Sequence, residues 1–326
     1  MTTDPIPELP LLSDSARHTI QQLLSGEFLG ASRNIRQIND LFVAIATDWG
    51  NDSGQRLIET LLATGDYLSA TRGRNTPAIA NAIRIVLRGL SQESAATPEQ
   101  IRTLIEARRT EYNTLSVRNA EIIAEYGANL LAGCEVVLAF DYSSSMAAIL
   151  KKLGERGRKI RLIVPESRSL DGGRPIVNEA TAYGHSVVFI VDMAFSHFLH
   201  QAEAVLIGAE TIFANGDCWN TVGSYPVAVL AQQYHIPFYV PTEFIKIDAR
   251  SFTGQQKSIQ PHNYAAILDY PASLKHPDLV SVIAPDLDRV PANLITAYIT
   301  PHGVMPPSQI WSETQRFLES NGVTIF

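Results

Sequence analysis

The chain has 326 residues, 45% of them hydrophobic and 18% charged, with a formal net charge of −7; this suits a soluble globular protein long enough for two domains. The acidic balance excludes a broad nucleic-acid surface but leaves room for a local basic pocket around a small phosphate. No apolar run is long enough to span a membrane, and the N-terminus "MTTDPIPELPLLSDSARHTI" lacks the basic and apolar regions of a signal peptide, so a cytoplasmic protein is expected. Two cysteines, Cys134 and Cys218, make neither a disulfide framework nor a metal site; no metal or cofactor is expected.

Residues 14–127 read as helices. "SARHTIQQLLSG" carries a Ser or Asp start and a Gly stop around apolar spacing. "IRQINDLFVAIATDWG" and "GQRLIETLLATGDYL" repeat apolar residues every three or four positions. "NTPAIANAIRIVLRGL" opens with a capping Asn or Thr and a Pro at the first helical position. From Pro98 to Leu131 the pattern is that of one long helix connecting two domains, with 1–131 as the helical domain and 132–326 as the second.

After Gly133 short apolar runs alternate with helical patterns. The runs at 135–140, 159–166, 186–191, 204–210 and 237–243 read as buried strands, with "SSMAAILKKLGERG", "PIVNEATAYG", "AFSHFLHQ" and "SYPVAVLAQQYH" as the helices between them. Apolar strands alternating with helices predict a parallel sheet covered on both faces, in a Rossmann-like, doubly wound α/β domain. Residues 248–266 read as a long surface loop.

Such a sheet binds ligands beyond the carboxyl ends of its strands. Asp141 and Ser143 follow the first strand, Glu166 and Arg168 the second, and Asp192 ends the third. Glu210 ends the fourth, with Asn215, Asp217 and Asn220 beyond it, and Glu243 and Lys246 follow the fifth. Singly, several have plain structural readings: Ser143 and Asp192 as helix caps, Glu166 and Arg168 as a surface pair. Together they put carboxylates beside cations on one rim, which suits a phosphorylated or acidic sugar: cations hold the anion, and carboxylates accept hydroxyls or move protons. The helix starts after Ser143 and Asn220 offer further N–H groups to an anion. The histidines lack recurring ligand spacing, and His197 and His200 read as a packed or solvated face.

The block "ESRSLDGGRPIVNEATAYGHSVVFIVDMAFSHFLHQAEAVLIGAETIFANGDCWNTVGSYPVAVLAQQYHIPFYVPTEFIK", with "LDRVPANLITAYITPHGVMPPSQI" (287–310) and "LIETLLATGDYLSATRGRNTPAIANAIRIVLRGL" (57–90), resembles the family that joins methylthioribose-1-phosphate isomerase, ribose-1,5-bisphosphate isomerase and the α, β and δ subunits of eukaryotic initiation factor 2B. The resemblance spans roughly residues 15–320. It implies that Asp141 stands where the isomerases carry a catalytic cysteine and Glu210 where they carry a catalytic aspartate. It also implies that Arg72 and Gly73 match an Arg-Gly pair that contacts phosphate. Arg168, Asp192, Asn215, Asp217, Asn220 and Lys246 match the family's pattern, whereas the lysine of its Asn-Lys pair reads Thr221.

The expected function is therefore an aldose–ketose isomerase of a phosphorylated or acidic sugar, with Asp141 and Glu210 as a coupled acid–base pair. The alternative is a non-catalytic initiation-factor-2B-like regulatory subunit, or a sugar-phosphate or nucleotide sensor, which lacks the cysteine and often carries Gly-Ala-Glu. The resemblance further implies a homodimer or higher homo-oligomer.

Overall fold

The computed structural model describes residues 12–25, 30–50, 53–254, 261–263, 274–281 and 283–322. They fall into two compact units. The first runs up to Arg118 and also takes in Ile245–Asp248 and the chain from Gln315; the second is Asn119–Phe244 with Ala249–Thr314. The sequence places a boundary after residue 131. The change of unit instead falls inside the long helix, and the chain returns to the first unit twice.

The first unit is built from α1 (Asp14–Ser25), α2 (Ala31–Thr47), α3 (Gly54–Asn75), α4 (Pro77–Leu87) and the start of α5 (Pro98–Leu130). Apolar residues at helical spacing, among them Ile38, Leu41, Phe42 and Ile45 of α2 and Leu57, Leu61 and Leu68 of α3, close on one core. Ser53 caps α3, its hydroxyl accepting the Arg56 N–H at 3.3 Å. Pro77 opens α4, where a missing N–H costs nothing.

The second unit holds β1 (Val136–Phe140), α6 (Ser144–Glu155), β2 (Arg161–Pro165), α7 (Gly173–Ala182), β3 (Ser186–Ile190), α8 (Phe195–Phe198) and β4 (Ala204–Ile207). There follow β5 (Thr211–Ile212), β6 (Cys218–Thr221), α9 (Ser224–Gln233) and β7 (Phe238–Pro241). The remaining strands are β8 (Pro261–Asn263), β9 (Ile283–Pro285), β10 (Leu287–Val290), β11 (Ala297–Thr300) and β12 (Gly303–Met305). The main sheet has the order β12-β11-β7-β4-β1-β2-β3, parallel except for the β11–β12 pair. Alternate strand residues serve its two faces: Val137, Ala139, Leu162 and Val164 pack with Ile149 and Leu150 of α6 and Ile176 of α7, while Phe140 lies against Gly223 at the start of α9.

Three elements differ from the sequence reading. The run 204–210 is a strand only to Ile207, and "AFSHFLHQ" is the single turn α8 between 3₁₀ turns. Most importantly, the stretch read as loop and helix start is strand β6, paired antiparallel with β5 on one side and β10 on the other. Of the surface loop read over 248–266, Asp248 is buried and Ala249–Thr253 is a 3₁₀ turn; residues 255–260 and 264–266 lie outside the described residues.

His185, buried in the turn before β3, accepts the Ile160 N–H on Nδ1 (3.2 Å) and donates from Nε2 to the Leu150 carbonyl (2.8 Å). Burial holds its pKa below the ordinary 6.5, so the folded imidazole stays neutral while the unfolded one takes a proton as pH falls through that value. The unfolded state then binds more protons, and stability falls with pH in that window. Urea unfolding at about pH 7.5, 6.5 and 5.5 should show the wild type losing its advantage over His185→Gln on acidification. Parallel losses in the two proteins would contradict this.

Candidate functional site

The order of the main sheet reverses between β1 and β4: β2 and β3 lie on one side, β7 and β11 on the other. At such a point the connections leave in opposite directions and a crevice opens above the carboxyl ends. The register Phe140↔Ile207 makes Asp141 and Gly208 the next residues on either side of that crevice. Gly208 must be small, since a Cβ there would lie 2.9 Å from Ser143 Cβ and 3.3 Å from both Ser143 Oγ and Asn220 Oδ1. Ser143 precedes α6, but its side chain makes no capping bond; the hydroxyl is buried and has no hydrogen-bond partner among the described residues. A buried polar atom left without a partner is costly, so this is the point in the crevice most ready to bond a ligand.

Asp141 occupies the left-handed region, with φ 64°, which Asp tolerates better than most residues. The residue is buried, 7% exposed. Oδ1 accepts from Ser167 Oγ at 2.9 Å, and Oδ2 accepts from Thr221 Oγ1. Gly172 closes the third side, where a Cβ would come within 1.7 Å of Oδ1. Burial pushes the Asp141 carboxyl above the usual carboxylate range; the bonds from Thr221, Ser167 and the Tyr142 N–H pull it down, and the charge of Asp192 pushes it up. The sequence points to Glu210 as the electrostatic partner of Asp141; the structure adds the carboxylate of Asp192.

Glu210 is half-buried just past β4. Its N–H donates to the Trp219 carbonyl at 2.8 Å, and its Oε2 accepts from Thr211 Oγ1 at 3.0 Å. Three successive residues of β6 therefore serve the crevice: Trp219 holds the Glu210 backbone, Asn220 places its amide beside Gly208 and 3.0 Å from Ser224 Oγ, and Thr221 bonds Asp141.

Several residues expected to touch ligand are held by the protein itself. Both Asp192 oxygens accept backbone N–H groups, from Ser167 (2.7 Å) and Arg168 (2.8 Å), so Asp192 braces the turn after β2 rather than capping a helix. Asp217 takes Nε of Arg289 at 2.7 Å and the Ala292 N–H at 2.8 Å. Asn215 accepts the Asp217 N–H at 3.1 Å across Gly216, whose φ is 85°; the three form a turn. The start of α9, read as an anion site, is occupied by Asp288, whose Oδ2 accepts the Gly223 and Tyr225 N–H groups. The Arg168 side chain is exposed, 3.6 Å from Glu166. None of Asp288, Ser167 and Thr221 has an assigned role in the sequence reading: Ser167 stands between Glu166 and Arg168 after the second strand, Asp288 lies in the 287–310 block of the family resemblance, and Thr221 is a departure from the isomerase pattern.

Arg72, Gly73 and Lys246 belong to the first unit. Arg72 donates to Asn34 Oδ1 at 3.3 Å, and its buried Nε has no partner among the described residues. Gly73 lets α4 approach, with Ala80 Cβ 3.0 Å from where its own Cβ would stand. Lys246 is held by its neighbours: the Asn81 amide donates to the carbonyls of Ile245 (2.9 Å) and Ile247 (2.8 Å), on either side of it. Among the described residues no group of three or more His, Cys, Asp or Glu is placed to hold a metal ion, and no helix is long and apolar enough to cross a membrane.

Residues 29–307 match the profile of the Initiation factor 2 subunit family. The chain belongs to that family. Among its relatives, ribose 1,5-bisphosphate isomerase of Methanocaldococcus jannaschii is 24% identical over 304 residues, covering 93% of this chain and 96% of the relative. Methylthioribose-1-phosphate isomerase of Thermosipho africanus is 32% identical over 223 residues, 64% of each chain. The fold is shared with the translation initiation factor eIF-2B of Pyrococcus horikoshii, at a TM-score of 0.74 and 19% identity over 91% of this chain and 99% of that one. It is shared equally with 5-methylthioribose 1-phosphate isomerase of the same organism, at a TM-score of 0.73 and 21% identity over 94% and 88%. One architecture is thus shared with a protein named as a translation initiation factor and with one named as an isomerase of a phosphorylated sugar.

The Asp217–Arg289 pair gives a direct test of its structural role. Asp217→Ala removes the acceptor for Arg289 and for the Ala292 N–H, and should lower the unfolding free energy by about 2–4 kcal/mol in urea titrations. Unchanged stability would show that the turn does not depend on this carboxylate.

Proposed function

We propose that the chain is an aldose–ketose isomerase of a phosphorylated sugar, with Asp141 and Glu210 as its acid and base. The observation that carries this reading is the placement of the two carboxyls. They follow the adjacent strands β1 and β4 where the sheet order reverses, and burial pushes one of them up. Isomerisation moves one proton from C2 of the opened aldose to C1, through an enediol whose oxygens gain and lose charge. A carboxyl held above its usual range can keep a proton near neutral pH, and Asp141 is assigned the part of giving it to O1 as the enediol forms and taking the O2 proton as it collapses; Glu210, half-buried beside the Thr211 hydroxyl, takes the proton from C2 and returns it to C1. Ser143 Oγ, the N–H groups at the start of α6 and the Asn220 amide bond the sugar oxygens. Phosphate recognition falls to Arg168 as a charged donor. The protein is proposed to work in the cytoplasm as a homodimer or higher homo-oligomer.

A second reading, a non-catalytic regulatory subunit or sugar-phosphate sensor, draws on one observation: each Asp141 oxygen already accepts a hydroxyl. Ligands that stabilise the native state raise the unfolding temperature, so a panel of aldose phosphates and acid sugars is screened by thermal shift and each hit followed for ketose formation. Asp141→Asn and Glu210→Gln should each lower kcat by about 100-fold or more while the thermal shift persists. Binding without turnover in the wild type would overturn the enzyme reading in favour of the second.

A further inference from the structure

We infer that Thr221 and Ser167 are positioning residues that aim the Asp141 carboxyl and set the pH at which it takes its proton. The inference rests on the reading that Asp141 moves a proton. The geometry is a closed one. The two hydroxyls come from different elements, Thr221 from the end of β6 and Ser167 from the turn after β2, and they meet the carboxylate on opposite oxygens. Both residues are buried, at 3% and 1% exposure, so water does not compete for these bonds. Each hydroxyl has one proton to give, and in both cases Asp141 receives it.

Donated bonds favour the ionised carboxylate, whereas burial and the nearby Asp192 favour the neutral acid. Asp141 is thus held between opposing influences, of which the two hydroxyls, together with the Tyr142 N–H, supply the ionising side. Other charged groups belong to the surrounding elements: Glu166, Arg168, Asp171 and Arg174 in and after the turn following β2, Asp288 on β10 and Glu210 past β4. The charge of Asp192 acts on Asp141. When Asp141 takes up a proton, a neighbouring hydroxyl can turn from donor to acceptor by rotating about one bond, because oxygen serves in either capacity. No backbone has to move, and little could. Ser167 sits at φ 50° with its N–H on Asp192, Gly172 leaves no space beside Oδ1, and the Thr221 carbonyl accepts from Ser224 Oγ at 2.7 Å.

The test reads the carboxyl itself and needs no turnover. Protein labelled with ¹³C in its aspartate carboxyls is titrated by NMR, and the Asp141 resonance is assigned by its loss in Asp141→Asn. Thr221→Val, which keeps the side-chain shape and removes the hydroxyl, should move the Asp141 titration to higher pH; Ser167→Ala should move it the same way, and Thr221→Ser should restore it. For a substrate found by the sugar-phosphate screen, the limb of the kcat/KM profile that reports Asp141 should move with it. A folded Thr221→Val protein, with a wild-type urea midpoint, that titrates as wild type would overturn the inference; if that variant does not fold, the same outcome in Ser167→Ala does so. A shifted titration in a protein without turnover would sustain the inference and remove the enzymatic reading.

Discussion

The crevice depends on one short strand. β6 has only four residues, yet it joins the two sides of the switch point. Its Trp219 carbonyl fixes the backbone of Glu210, its Asn220 stands by Gly208 and Ser143, and its Thr221 hydroxyl grips Asp141. Antiparallel pairing with β5 and β10 makes β6 rigid enough to do this, because the ladder bonds fix each residue's direction.

The acidic groups of the rim divide by what their oxygens already do. Asp192, Asp217 and Asp288 accept backbone N–H groups, and Asp217 an arginine as well, and these bonds set turns and a helix start. Such charge-assisted bonds are strong and fix the scaffold against which ligand groups must be placed. Asp141 adds to the Tyr142 N–H two hydroxyls that can reverse their direction, and the Ser143 hydroxyl has no partner among the described residues. In the proposed isomerase that division sets rigid carboxylates around the proton of Asp141.

The parallel sheet and the helices were legible because their signals are local. Apolar runs such as "VVLAF" and "RLIVP" need no knowledge of their partners to be read as buried strands, and the strand ends followed from the fold class. What escaped was long-range. The Thr221–Asp141 bond spans 80 residues and the Asp288–Gly223 bond 65, and no periodicity announces either. β6, with Asn and Thr in a run of four, is too short and polar to declare itself as a strand. The same reasoning explains why Asp192 and Asp217 looked like ligand groups: their position on the rim was visible, their backbone partners were not. Lys246 followed a strand end on paper, yet Asn81 of α4 binds the carbonyls on both sides of it and draws the segment into the helical unit.

The central claim is that the ligand crevice lies where β1 and β4 diverge, between Asp141 and Glu210. It is tested most directly by a crystal structure of the protein with whichever sugar phosphate raises its unfolding temperature most. The account places the carbon chain of that sugar between the two carboxyls, with one of its oxygens on Ser143 Oγ. Density for the sugar elsewhere, with the crevice above β1 and β4 holding only solvent, would contradict it.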